Sequence, residues 1–263
     1  MLIYIKEENR RRKAKMPRFF IRSEQITEAD GQRIALIKGD DAHHISRSLR
    51  MAVGETVELC DMQRRVYNCT LIQFNDGEVV ARVDSETSVD TEPKYEITLY
   101  QALPKSDKME TIIQKSTECG VTKIVPFSSE RCIVKLDSKD ASKKQERWQK
   151  IAEGAAKQSG RGVIPTVESV VTLDKMLVQA KESSLVLFCY EGESTLTLKQ
   201  ALRDRKIEKS IAVIIGAEGG FSQREAEKIV ASGAVSVSLG KRILRCETAG
   251  PFVLGCIAYE TEF

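Results

Sequence analysis

Two rhythms of apolar positions divide the chain. Between Phe19 and about Asp90, short apolar runs at 33–37, 56–60, 67–72 and 79–83 alternate or cluster, punctuated by Gly54, Asp61, Asn75-Asp76-Gly77 and Asp84. Strands at this spacing predict a small barrel, interrupted by one short helix over 40–49. Residues 85–93 are polar, aperiodic and end in proline, which places a boundary between a first domain of 16–90 and a second of 94–263.

Beyond Pro93, strands and helices alternate. Strands are predicted over 96–100, 121–125, 185–189, 211–215 and 235–239. A helix over 107–120 carries Met109, Ile112 and Ile113 on one face, and an apolar helix is predicted over 251–259. Ser142-x-x-Gln145 and Ser222-x-x-Glu225 have the form of capping boxes that open two further helices. This alternation predicts an α/β domain with a mainly parallel sheet.

Composition narrows the class. The 263 residues are 41% hydrophobic and 30% charged, which fits a folded globular chain and excludes a disordered one. The apolar stretch 251–259 is too short to span a bilayer, and no apolar core follows the basic N-terminus as in a secretory signal. A soluble cytoplasmic protein is expected. The net charge of +3 is concentrated in residues 1–15, whose six basic and two acidic residues read as a tag, an upstream start or a flexible basic arm. Within the rest, 94–160 is the basic segment, with 13 basic and nine acidic residues, so a polyanion surface is sought there first. Seven cysteines without a C-x-x-C pair, and only two histidines (His43 and His44), predict neither a metal site nor a disulfide framework. Cys189 and Cys256 lie in apolar runs and read as core residues.

Two glycine-bearing segments follow predicted strands. Ile214-Ile-Gly-Ala-Glu-Gly-Gly-Phe-Ser222 is neither a phosphate loop nor G-x-G-x-x-G; taken alone it reads as a tight turn or as a close backbone approach to a ligand. Ser238-Leu-Gly-Lys-Arg-Ile-Leu-Arg-Cys-Glu-Thr-Ala249 places three basic residues and Glu247 at a strand–helix junction, as a solvated loop or as part of a site.

Together these two segments resemble the SPOUT methyltransferases, and most closely the bacterial 16S ribosomal RNA uridine N3-methyltransferases. Pro17-Arg18-Phe19-Phe20, His43-His44-Ile-Ser-Arg-Ser-Leu-Arg-Met51, Leu103-Pro-Lys-Ser-Asp-Lys-Met-Glu110 and Gln114-Lys-Ser-Thr-Glu-Cys-Gly120 extend the likeness. So does the Arg147–Arg161 segment, and the resemblance covers essentially everything after residue 16. The chain departs from the family at Ala217, usually proline, and at Cys246, usually threonine or alanine.

The resemblance implies a PUA-like β-barrel that grips RNA, followed by an α/β domain with a deep trefoil knot. It implies S-adenosylmethionine as cofactor, no metal, a homodimer, and 16S ribosomal RNA or the small ribosomal subunit as substrate. Gly216, Glu218, Gly219, Leu239, Gly240, Ile243, Leu244 and Arg245 would lie on the cofactor loops. Arg245, Glu247 and Arg161 are the catalytic candidates, as groups that stabilise a uridine anion or accept its proton. Arg18, Arg47, Arg50, Lys105 and Lys108 are the candidate RNA contacts. A SPOUT enzyme for another RNA site and a non-catalytic PUA-like RNA-binding protein are the competing readings.

Overall fold

The structure, a computed structural model, describes residues 16–29, 31–193, 195–205 and 207–263. The basic extension expected over 1–15 lies outside the described residues. The chain forms two units: residues up to Thr91 together with Gly160–Val163, and Glu92–Ser159 together with Ile164–Phe263.

The first unit is a six-stranded sheet. Its strands are β1 (Arg18–Phe20), β2 (Ile26–Ala29), β3 (Gln32–Lys38), β4 (Thr56–Cys60), β5 (Arg65–Asn75) and β6 (Glu78–Ser88), in the order β1-β4-β5-β6-β3-β2. Asp76-Gly77 makes the tight β5–β6 turn that the Asn-Asp-Gly sequence predicts, with Gly77 at φ 74°. Both strands run longer than their apolar cores suggested, and two register shifts bend β5 against β6. Phe19, Ile37, Leu59, Tyr67 and Leu71 fill the core. The predicted helix is α1 (Gly39–His43) running into a π-helical turn over His44–Ser48, after which Arg50 takes a left-handed φ of 52°. Arg47, in the π-helical turn, and Arg50, in the left-handed conformation after it, are both exposed.

The second unit is built on a parallel sheet. Its strands are β7 (Glu96–Ala102), β8 (Lys123–Ser128), β9 (Thr166–Val167), β10 (Val171–Thr172), β11 (Leu185–Cys189), β12 (Ser210–Ile215) and β13 (Val235–Val237). The order is β10-β8-β7-β12-β11-β13, with β9 beside β8 and every pair parallel. Ile211–Ile215 are all buried, as expected of a central strand covered on both faces. The helices are α2 (Lys108–Glu118), α3 (Ser138–Ser159), α4 (Leu173–Ala180), α5 (Leu198–Arg203), α6 (Gln223–Ala231) and α7 (Cys246–Glu262).

Two helix starts differ from the sequence reading. α3 begins at Ser138, so Ser142 lies inside it; the Gln145 amide donates to Val167 O at 3.1 Å and accepts from Ser169 Oγ at 2.8 Å. α7 begins at Cys246 with Arg245 as N-cap, five residues before the expected proline. The Ser222 box forms as read: Ser222 Oγ accepts from Glu225 N, and the Glu225 carboxylate accepts from Ser222 N.

Candidate active site

β12 lies between β7 and β11, and the loops at the carboxyl ends of β11, β12 and β13 converge there. Open parallel sheets place ligands at such a strand end. The loops after β11, β12 and β13 wall an open cleft with a cavity volume of about 130 Å³. Its walls include Gly216, Ala217, Gly220, Leu239, Gly240, Ile243 and Leu244, together with Glu191, Glu193 and Arg242.

The β12 loop is held from below and from the side. Gln101 is fully buried; its Nε2 donates to Gly216 O at 3.2 Å and to Ala102 O at 3.0 Å. Gly220 N returns to Ala217 O at 3.0 Å, with Gly220 at φ 61°, a left-handed conformation that glycine adopts without strain. Arg131 Nη1 donates to Gly219 O at 3.0 Å, and the buried Glu225 accepts from Glu130 N at 2.8 Å, tying the loop after β8 to the start of α6. Phe221 packs edge-on against Phe188 at 5.1 Å between ring centres and stacks on Phe127 at 6.2 Å, forming an aromatic floor.

The β13 loop returns toward the sheet centre past the β11–α5 connection: Ser238 N donates to Leu196 O at 2.8 Å and Ser238 O accepts from Leu198 N at 3.1 Å. Ile243 on this loop is 88% exposed although it lines the cleft, so it offers an uncovered aliphatic wall. Arg245 caps α7 through its backbone oxygen, which accepts from Thr248 N and Ala249 N, both at 2.9 Å. Its side chain is exposed and has no hydrogen bond or ion pair among the described residues.

Lys108, at the start of α2, sits between the two loops. Its ammonium pairs with Glu218 at 2.8 Å and with Glu247 at 3.4 Å, while Lys105 N approaches both Glu218 oxygens at 3.3 Å. Burial alone would raise both carboxyls; the bonds from Lys108 and from the backbone at Glu218 outweigh it, and the backbone, the Cys246 thiol and Lys108 do the same at Glu247. Both therefore titrate below the usual carboxylate range. Their folded values are depressed, so the ion pairs stabilise the fold at neutral pH and are lost as pH falls below that range. The Cys246 thiol donates to Glu247 Oε2 at 3.3 Å, and burial first and this bond second push it up to about 12.

Several sequence-predicted residues thus take other places. Gly216, Leu239, Gly240, Ile243 and Leu244 line the cleft, whereas Glu218 and Gly219 brace the loop from outside it. Glu247 bonds Lys108 and Cys246 rather than Arg245. Lys108 is committed to two carboxylates, which leaves its charge little available to a phosphate. Arg18 is consumed within the first unit by Glu58 at 2.9 Å and by the carbonyl of Arg161 at 3.1 Å, so it is a fold-forming residue rather than an exposed RNA contact. Arg161 is buried in the 160–163 segment of that same unit. Sequence reasoning missed Glu191 and Tyr190, which follow β11 in a turn without any motif, and also missed Phe221 as a cleft residue. Cys189, at the cleft wall, and Cys256, on α7, are half-buried and pack against the core of the second unit; all seven cysteines are free thiols.

Comparison with known proteins gives a consistent picture. The family description of an RNA methyltransferase domain matches residues 91–258, and that of an RNA methyltransferase PUA domain matches 37–84. Ribosomal RNA small subunit methyltransferase E of Bacillus subtilis is 34% identical over 94% of this chain and 98% of its own length. The protein of the same name from Mycobacterium tuberculosis is 30% identical, with 89% of each chain covered. Among solved structures, that enzyme from Neisseria gonorrhoeae, bound to S-adenosyl methionine, superposes with a TM-score of 0.81 at 30% identity, covering 93% of this chain and 98% of the other. A methyltransferase from Legionella pneumophila in complex with the cofactor SAM gives a TM-score of 0.82 at 31% identity, covering 94% and 98%.

Proposed function

Because the chain belongs to the ribosomal RNA small subunit methyltransferase E family of SPOUT RNA methyltransferases, we propose that it methylates N3 of a uridine in 16S ribosomal RNA with S-adenosylmethionine. The observation that carries this reading is the cleft at the ends of β11 and β12, walled by both glycine loops. Its contents suit that cofactor. Gly216 and Gly220 present side-chain-free backbone to the cleft, while Leu239, Ile243 and Leu244 give an aliphatic wall for a base. When bound, the cofactor supplies an electrophilic methyl group on a sulfonium.

The protein's part is positioning and charge. Uridine N3 must lose a weakly acidic imide proton to solvent water or hydroxide before it can attack, and a cation beside it favours the anion. Arg245 has that cation free, next to the N-terminus of α7, whose dipole adds to it. Glu247, held below the usual carboxylate range, is a weak base for such a proton and serves instead to fix Lys108 against the two loops. Arg161 is buried within the first unit. Purified protein given methyl-labelled cofactor and unmodified small ribosomal subunits should move label into the RNA. RNA that stays unlabelled while the cofactor binds would contradict the reading.

Arg47, Arg50 and Lys105 are exposed and serve as phosphate ligands in this account. Replacing each with alanine should weaken RNA binding and reduce the salt slope by about one unit for every phosphate left unneutralised. Unchanged slopes would return them to ordinary solvated surface.

The protein acts as a cytoplasmic homodimer in this reading. No helix among the described residues is long and apolar enough to cross a membrane. On α7, Phe252 and Tyr259 stand exposed beside Gly255, an apolar stripe suited to a second copy of the chain. Light scattering at micromolar concentration should find a dimer, and Phe252→Asp should shift it toward monomer. A native protein that is monomeric would contradict this assignment.

A further inference from the structure

The charged groups that line the cleft are Glu191, Glu193 and Arg242, which gives the wall a net negative charge. The two carboxylates differ in what holds them. Glu193 Oε1 accepts from Thr195 Oγ1 at 2.6 Å, Thr195 N at 2.7 Å and Leu196 N at 3.3 Å. The Thr195 hydroxyl first and these backbone bonds next bring Glu193 down to about 2, so it is fixed, charged and already satisfied.

Glu191 is unlike it. Its side chain makes no hydrogen bond or ion pair among the described residues, yet it lies directly against the glycine loop. A Cβ on Gly220 would stand 2.7 Å from Glu191 Oε1, so the missing side chain of Gly220 is what lets this carboxylate reach the loop. The neutral parts of an adenosine ligand need only the backbone groups and aliphatic walls already described. A free carboxylate on the wall suits a cation instead. Adenosylmethionine carries one net positive charge at neutral pH, from a sulfonium and an ammonium against one carboxylate. Phosphate-bearing nucleotides carry the opposite sign.

We propose that Glu191 is a specificity-determining residue of the cofactor cleft, whose carboxylate recognises a cationic group of the methyl donor and disfavours phosphorylated nucleotides. The inference rests on the adenosylmethionine reading of the cleft and adds the group that selects the ligand's charge.

Calorimetric titration of the full-length protein with three ligands tests it: adenosylmethionine, adenosylhomocysteine (which keeps the ammonium but lacks the sulfonium) and adenosine (which has neither). Glu191→Gln should weaken adenosylmethionine about three- to fivefold, the scale of an exposed ion pair, and leave adenosine unchanged. Glu191→Lys should weaken it further, by roughly an order of magnitude, because the sign is reversed. A parallel loss for adenosylhomocysteine identifies the ammonium as the partner; an unaltered affinity for it identifies the sulfonium. Adenosine falling in step with the other two would show a bond to the ribose instead and overturn the proposal, as would unchanged adenosylmethionine binding in both variants. If none of the three bound the native protein, the proposed function itself would fail, which is a separate result.

Discussion

Replacing Arg245 with alanine is expected to slow methyl transfer by about 10²–10³-fold, the usual cost of removing one well-placed electrostatic stabiliser. The guanidinium has no partner within the described residues, so its charge is available to a substrate anion rather than spent on the fold. It is anchored through its backbone at the N-terminus of α7, which makes its position a property of that helix. The loss should shrink as pH rises, because more uridine N3 is then ionised without help. Single-turnover rates between about pH 7 and about pH 10 read this directly. A variant slowed equally at every pH has lost positioning, and the anion-stabilising role would then be wrong.

The second large effect is on binding. Gly220→Val should abolish cofactor affinity for two reasons. The residue sits at φ 61°, where a β-branched side chain is strained, and its Cβ would collide with Glu191 at the cleft wall. Gly216→Val should act similarly, since its Cβ would stand 2.9 Å from the Phe221 ring in the aromatic floor. Calorimetry with adenosylmethionine measures the loss, and a thermal melt of each variant separates it from unfolding. Native-like affinity in a folded Gly220→Val protein would move the cofactor out of this cleft. Gly219→Val is the less direct probe: its Cβ would meet Arg131 at 3.1 Å, outside the cleft lining.

The pattern of apolar runs carried the parallel sheet, because central strands such as β12 are buried on both faces and read as unbroken aliphatic sequence. Local chemistry carried the Ser222 box, where cap and glutamate satisfy each other within four residues. The same pattern at Ser142 misled because Gln145 is drawn to Val167 and Ser169, partners distant in sequence. At α7, the apolar run pointed to a start at Pro251, but the helix is capped by Arg245 and its first turn runs through Glu247, polar residues that an apolar pattern does not mark.

The site was legible where backbone does the work and illegible where long-range pairing does. Glycines at strand ends read alone as tight turns or close approaches; the family resemblance singled out Gly216 and Gly240, and both line the cleft. Lys108 looked like a phosphate ligand from local charge alone. Only the fold brings Glu218 and Glu247, from two separate loops, around its ammonium. Arg18 was misread for the same reason, its partners Glu58 and Arg161 lying far along the chain. Glu191 carries no motif, and nothing but the packing against Gly220 marks it.

The central claim is the identity of the methylated atom. Ribosomal RNA from cells with and without the gene, digested to nucleosides and separated by mass spectrometry, tests it most directly. N3-methyluridine in 16S RNA should disappear when the gene is absent and return with the native chain but not with Arg245→Ala. An undiminished N3-methyluridine content in cells lacking the gene, or loss of a different methylated nucleoside, would contradict it.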